Sequence, residues 1–295
     1  MDNLLILGAS GFVGTNLTKF FNGEYTIIGY RKNSPLVINQ TIVIHLAGKA
    51  HDLKNVSSFD EYYKVNTELT KEIFDAFLTS EAKVFITLSS VKAVADKVDG
   101  ELTEDVTPNP ITHYGKSKLL AEQYILSHSI PAGKRVYILR PCMIHGPRNK
   151  GNLNLLYNFV TKGMPWPLGA FENRRSFCSI DNLMFIFKEL IERDDIPSGI
   201  YNVADDEALS TNELIRLIAQ SQNSRPKLWN ISKKFIEGVA SIGDKLHLPL
   251  NTERLHKLTS SYVVSNAKIK AAIGKPLPVS SRKGLLKTFK SFNSK

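Results

Sequence analysis

The chain opens with an apolar run, Leu4-Leu5-Ile6-Leu7, which breaks at Gly8-Ala9-Ser10-Gly11-Phe12-Val13-Gly14 and resumes as a helix-period segment, Gly14–Phe21. A buried strand, a tight glycine turn and a helix start in immediate succession leave few folds open. Gly8 suits the turn, Gly11 lets an anionic group approach the backbone, and Gly14 lets the helix pack on the strand. Backbone N–H groups and the positive end of the helix dipole then converge on one point, which suits a dinucleotide pyrophosphate. A plain strand-to-helix turn would not need the third glycine.

The same alternation continues through the first 145 residues. Leu4–Leu7, Tyr25–Gly29, Ile42–Leu46, Val84–Leu88 and Val136–Leu139 read as strands, and Gly14–Phe21, Ser58–Ser80 and Tyr114–His128 as helices. Continuous apolar strands between helices predict a parallel sheet covered on both faces. Asp181–Glu192 and Gly199–Val203 read as a further helix and strand of that sheet. Residues 149–174 are rich in Asn, Gly and Pro and read as an excursion from the sheet. Ser210-Thr-Asn-Glu213 is a capping box that opens another helix. The expected architecture is α/β: a Rossmann-type doubly wound parallel sheet with a smaller C-terminal substrate-binding lobe. The sheet domain takes residues 1–148 and about 176–204, the lobe about 149–175 and 205–295.

The 295 residues are 42% hydrophobic, enough apolar content to offset chain entropy, and no apolar run approaches a membrane span of about 20 residues. Two cysteines, Cys142 and Cys178, form no disulfide framework and suit a reducing compartment, here the cytoplasm. The net charge of +10 is unevenly placed: from Ile215 onward there are 16 Lys and Arg against 3 Asp and Glu. Such a surface favours an anionic partner or is simply solvated. It lacks the interleaved aromatics of a single-strand binder, so nucleic acid is not expected. Arg282–Phe292 carries Leu285, Leu286, Phe289 and Phe292 at helical spacing among lysines. That pattern suits a terminal helix packed on the lobe, or an interfacial helix on an anionic membrane.

Tyr114 and Lys118 stand four apart on one helix face, where an ammonium can favour the phenolate and bring it within reach of proton transfer. Ser89 and Ser90 close an apolar strand 24 residues before Tyr114, at the sheet edge where open α/β folds bind ligands. In chain order, Gly8-x-x-Gly11-x-x-Gly14, His45-Leu-Ala-Gly48, Asn66, Ser90, Tyr114-x-x-x-Lys118 and Arg140-Pro-x-x-Ile-His-Gly-Pro147 resemble the extended short-chain dehydrogenase/reductase superfamily. Within it the chain looks like the NAD-dependent epimerase/dehydratase group, which acts on nucleotide-activated sugars.

That resemblance implies Ser90, Tyr114 and Lys118 as catalytic residues. Tyr114 would be the general acid/base, Ser90 would share the sugar oxygen's proton, and Lys118 would hold the nicotinamide ribose and depress the tyrosine's pKa. It also implies cofactor contacts from Gly8, Ser10, Gly11, Phe12, Val13, Gly14, Tyr30, Arg31, Leu46, Ala47, Gly48, Lys118 and Pro141. Ser90, Lys92, Asn152, Leu153, Phe171 and Arg175 would contact a nucleotide-diphosphate sugar, with Trp166–Phe171 near the base. Asn66 would be structural or part of a proton relay, and Arg174 solvated. No metal is implied, and a homodimer is expected.

Several positions depart from the pattern. Gly29-Tyr30-Arg31-Lys32 lacks the acidic residue that NAD-preferring members carry for the ribose, so NADP is favoured over NAD. Residues 31–41 are too few for a full strand, helix and loops, which predicts a short or missing third strand. Val91 stands where 4,6-dehydratases carry an acid, which disfavours dehydration. Met143 replaces an asparagine near the substrate phosphate. Hydride transfer at C4 remains, as a 4-ketoreductase or a 4-epimerase with retained NAD. The missing acid and Lys92 lean towards the reductase. A non-catalytic cofactor sensor on the same fold is the rival from another class.

Overall fold

The computed structural model describes residues 3–29, 36–49, 58–149, 151–246 and 251–292. In chain order these form β1 (Asn3–Leu7), α1 (Phe12–Phe20), β2 (Thr26–Gly29), β3 (Ile42–His45) and α2 (Phe59–Tyr62). A π-helical turn (Tyr63–Glu68) runs straight into α3 (Leu69–Thr79), followed by β4 (Val84–Leu88), a 3-10 turn (Val91–Ala93), β5 (Glu101–Leu102), α4 (His113–Leu126), β6 (Arg135–Pro141) and β7 (Met143–His145). Then come α5 (Asn152–Thr161), β8 (Phe177–Ser179), α6 (Ile180–Glu192), β9 (Gly199–Val203), α7 (Thr211–Ser221), α8 (Lys233–Leu246), α9 (Thr252–Thr259), β10 (Val263–Val264), α10 (Ala267–Ile273) and α11 (Ser281–Ser291).

Six strands pair in parallel in the order β2-β1-β3-β4-β6-β9. The two-residue period of each strand splits its side chains between two cores. Leu4, Ile6, Ile42, Ile44, Val84 and Ile86 pack with Leu17 of α1 and with Leu183 and Phe187 of α6. Leu5, Leu7, Val43 and Phe85 pack on the opposite face with Phe74 and Phe77 of α3 and Ile125 of α4. Burial on both faces is why these strands read as continuous apolar runs. Among the described residues β2 is an edge strand, and none of them between β2 and β3 in the chain forms a further strand, as the short connection requires. The segment read as one helix over 58–80 is a helix interrupted by the π turn.

The C-terminal elements build two further cores. Leu153, Tyr157, Phe177, Leu214, Ile218, Leu285 and Phe289 form one, and Trp166, Leu168, Ile215, Ile236, Ala240 and Leu255 the other. Ser210 and Glu213 cap α7 reciprocally, as their spacing predicts. The terminal helix α11 is packed rather than interfacial: Leu285 and Phe289 are fully buried. Both cysteines are free and buried. Among the described residues, no helix is long and apolar enough to cross a membrane.

Candidate active site

The glycine turn is shaped by contact rather than by flexibility. Gly8 has φ +91°, and a Cβ there would sit 2.7 Å from the amide nitrogen of Ala47. A Cβ on Gly14 would lie 2.3 Å from the Gly8 carbonyl oxygen, so α1 can approach the turn only with glycine here. Gly11 is the N-cap of α1, and no side chain caps the first turn. Ser10 is exposed beside it, while Phe12 and Val13 lean onto the sheet core. Leu46, Ala47 and Gly48 follow β3 at the same sheet edge, and buried Pro141 ends β6. Tyr30, Arg31 and Lys32 lie outside the described residues, so the NADP argument built on them has no structural counterpart.

Ser90, Tyr114 and Lys118 come together at the C-terminal ends of β3 and β4. Ser90, buried just past β4, caps the 3-10 turn by accepting from the Lys92 amide at 3.2 Å, and its hydroxyl lies near enough to the Tyr114 phenol to favour the phenolate. Thr112 caps α4 and thereby sets Tyr114 in its first turn. Buried Lys118, one turn on, donates to the Leu88 carbonyl at 2.9 Å. Its ammonium also lies 3.1 Å from where a Cβ on Gly48 would be.

Burial sets the protonation of this cluster. It raises the Tyr114 phenol above its ordinary value, and the Ser90 hydroxyl only partly offsets that. The expected lowering of the phenol's pKa by Lys118 does not prevail: burial dominates at the phenol, and Lys118 has one of its three N–H groups on the Leu88 carbonyl. Lys118 itself is lowered to about 8 by burial, with Glu122 working the other way. Tyr114 is therefore a protonated donor at neutral pH, beside an ammonium that is unusually easy to deprotonate. His45, at the end of β3, is fully buried and pushed down to about 3, by burial first and by Lys118 second.

Asn66 sits in the π turn and braces the site without facing it. Its Oδ1 accepts from the Lys49 amide at 2.8 Å, and its Nδ2 donates to the Lys49 carbonyl at 3.1 Å and to Ser117 Oγ at 3.0 Å. Ser117 in turn donates to the Tyr114 carbonyl at 2.8 Å. π turns recur at functional sites, and this one ties the loop after β3 to the tyrosine helix.

The expected substrate residues are more scattered. Arg175 donates to the Ser260 carbonyl at 3.0 Å and to the Lys257 carbonyl, so part of its fork is used on the end of α9. Lys92 is partly buried: it donates to the Asp96 carbonyl at 3.1 Å and lies 4.2 Å over the Tyr262 ring. Burial and the Arg175 charge both lower its pKa, while Asp96 opposes them. Asn152 is exposed at the start of α5, but the Leu153 side chain next to it belongs to the lobe core. Phe171 borders the second lobe core, with the Lys233 ammonium 5.8 Å over its ring, and Trp166 is buried there. Arg174 is exposed, Met143 packs in the lobe core, and Val91 is buried in the sheet core.

One residue not singled out from the sequence matters here. Glu122 accepts from Ser89 and from Arg140, whose Nε lies 3.0 Å from Oε1 and whose Nη2 lies 2.5 Å from Oε2, all buried. Ser89 thus anchors the strand end while Ser90 faces the tyrosine. The signal was present: Tyr114, Lys118 and Glu122 follow one another at four-residue steps on one face of α4.

An uncapped helix start, close-packed glycines and a buried ammonium at one sheet edge fit a dinucleotide lying across that edge. The sequence model of the NAD dependent epimerase/dehydratase family matches residues 34–204. A UDP-glucose 4-epimerase of Vibrio cholerae is 31% identical over 251 residues, covering 74% of this chain and 75% of that protein. An N-acetyl-alpha-D-glucosaminyl-diphospho-ditrans,octacis-undecaprenol 4-epimerase of Escherichia coli O157:H7 is 30% identical over 247 residues, covering 76% of this chain and 73% of that protein. MoeE5, solved in complex with UDP-glucuronic acid and NAD, superposes with a TM-score of 0.76 over 99% of both chains at 20% identity, a likeness of fold. On the matched motifs and these relatives, the chain belongs to the NAD dependent epimerase/dehydratase family.

Proposed function

We propose that this protein is a 4-epimerase of a diphosphate-linked hexose that works with a retained NAD. The observation carrying this reading is the placement of Ser90, Tyr114 and Lys118 together at the sheet edge that also holds the glycine turn. The relatives at 31% and 30% identity are both 4-epimerases. Lys92, which favours a ketoreductase in the sequence, donates to the Asp96 carbonyl at 3.1 Å and lies over the Tyr262 ring, which gives it a structural role besides any contact with substrate.

The cofactor would supply hydride acceptance and return at C4. The chain's own residues handle the rest. Ser90 and Tyr114 would hold the sugar's 4-oxygen between two hydroxyls. Tyr114, protonated in the unliganded site, would first give up its own proton, for which neutral Lys118 is the candidate acceptor. The phenolate then takes the 4-hydroxyl proton and returns it when the carbonyl is reduced. Lys118 holds the cofactor ribose and, with its lowered pKa, can trade a proton with its surroundings near neutrality. The first-turn amides of α1 take the pyrophosphate. Arg175, Asn152 and Phe171, on a lobe formed by residues 149–175 and 205–295, hold the diphosphate and the group beyond it.

The test is incubation with UDP-glucose or UDP-N-acetylglucosamine without added coenzyme, followed by proton NMR. The expected result is the 4-epimer, together with about one NAD per chain released on denaturation. Oxidation of added NADPH by a 4-keto sugar, with no epimer formed, would replace this reading with the ketoreductase.

A further inference from the structure

Two basic helices near the C-terminal end carry apolar stripes, and only one stripe is covered. α11 buries Leu285 and Phe289 completely. α8 buries Ile236 and Ala240 on its inner face, yet leaves Phe235 63%, Val239 36%, Ile242 55% and Leu246 64% exposed. These four follow at steps of four, three and four residues, so they form a single outward ridge separate from the core face. Exposed Lys234 and Lys245 flank the ridge. Trp229, 56% exposed, precedes the helix, and Leu258, 42% exposed, lies on α9, which packs on α8. Residues 225–258 hold seven Lys and Arg against three Asp and Glu.

We propose that the outer face of α8 docks this protein on the surface of an anionic lipid bilayer. An apolar ridge flanked by lysines, with an exposed tryptophan nearby, has the chemistry of a helix lying in the headgroup plane. The outward side of one helix is convex and suits a deformable surface, whereas a peptide helix needs a groove. A second copy would meet the face through an isologous contact, setting Lys234 and Lys245 against themselves. Charge therefore selects the anionic bilayer.

Flotation of the full chain with phosphatidylcholine vesicles, with and without phosphatidylglycerol, tests this. The chain should float with the anionic vesicles and stay behind with the neutral ones, and high salt should release it. Partition should fall about tenfold or more in the Phe235→Ser/Ile242→Ser/Leu246→Ser variant, and again in Lys234→Glu/Lys245→Glu. Both variants should keep the parent's thermal melt. Failure of the parent to float with anionic vesicles would overturn the proposal, as would equal flotation of either variant. A concentration-dependent dimer in sedimentation velocity that the triple variant abolishes would assign the face to a second copy instead.

Discussion

The two sides of the candidate site are held differently. On the sheet side, Ser90, Tyr114 and Lys118 are fixed by strand ends, a capped helix and a braced π turn, with Ser90 bonded to the Lys92 amide and Lys118 to the Leu88 carbonyl. On the lobe side, Arg175 is tied to a backbone carbonyl at 3.0 Å and Phe171 to the edge of a core. Lys92, in the turn after β4, is tied to the Asp96 carbonyl at 3.1 Å and meets the lobe at the Tyr262 ring. On the proposed function, the first arrangement would place the reacting atoms before any substrate arrives, which is what proton transfer requires. The second serves the lobe's own structure and would have to release donors to grip a diphosphate. Substitutions should therefore strike turnover on the sheet side and substrate affinity on the lobe side.

The largest expected effect comes from Tyr114→Phe. It should lower kcat by about 10^3-fold or more while changing KM less than about threefold, because the phenol moves a proton and the ring packing stays. A matching fall in kcat and rise in KM would merge the two sides and break the comparison.

Lys118→Met should also abolish turnover, but with an opposite effect on folding. Holding this ammonium buried, with its pKa near 8, costs on the order of 3 kcal/mol at pH 7. Loss of the Leu88 hydrogen bond returns about 1 kcal/mol of that. The variant should melt a few degrees above the parent, an outcome that differential scanning calorimetry checks. A lower melting temperature would show the lysine to be a structural support.

His45 makes the sheet side sensitive to acid. Its folded pKa of about 3 lies below the ordinary 6.5, so the unfolded chain takes up a proton first as pH falls. Stability attributable to His45 is fully present above about pH 6.5 and declines by roughly 1.4 kcal/mol per pH unit below it. Between pH 6.5 and 5, His45→Asn should flatten that decline in thermal melts. An unchanged slope would mean that other groups govern it.

On the lobe side, Arg175→Ala should raise KM by about tenfold and change kcat little, whereas Lys92→Met, in the turn after β4 that faces the lobe, should change either constant less than about threefold. Equal effects from the two would return Lys92 to the substrate contacts.

The sheet side was the more legible in sequence, for a physical reason. Strands buried on both faces must be apolar throughout, and a helix start packed at 2.3 Å against a turn must be glycine, so Gly8, Gly14 and the β-runs stand out. Tyr114, Lys118 and Glu122 lie on one helix and are readable by their spacing. The lobe depends on contacts made far along the chain: Arg175 meets Ser260, and Lys92 meets Tyr262. No local period reports these. The π turn at Tyr63–Glu68 was read as ordinary helix because one widened turn hardly disturbs the apolar spacing. For the same reason α8 and α11 look alike in sequence, since the pattern shows a stripe but not whether anything covers it.

The central claim is that Ser90, Tyr114 and Lys118 serve hydrogen removal and return at C4. Incubating the purified protein with UDP-glucose deuterated at C4, in ordinary water without added coenzyme, tests it most directly. The account predicts a 4-epimer that keeps its deuterium at C4, with none released to solvent, and no such product from Tyr114→Phe. Deuterium lost to water, or an epimer formed equally well by the variant, would contradict it.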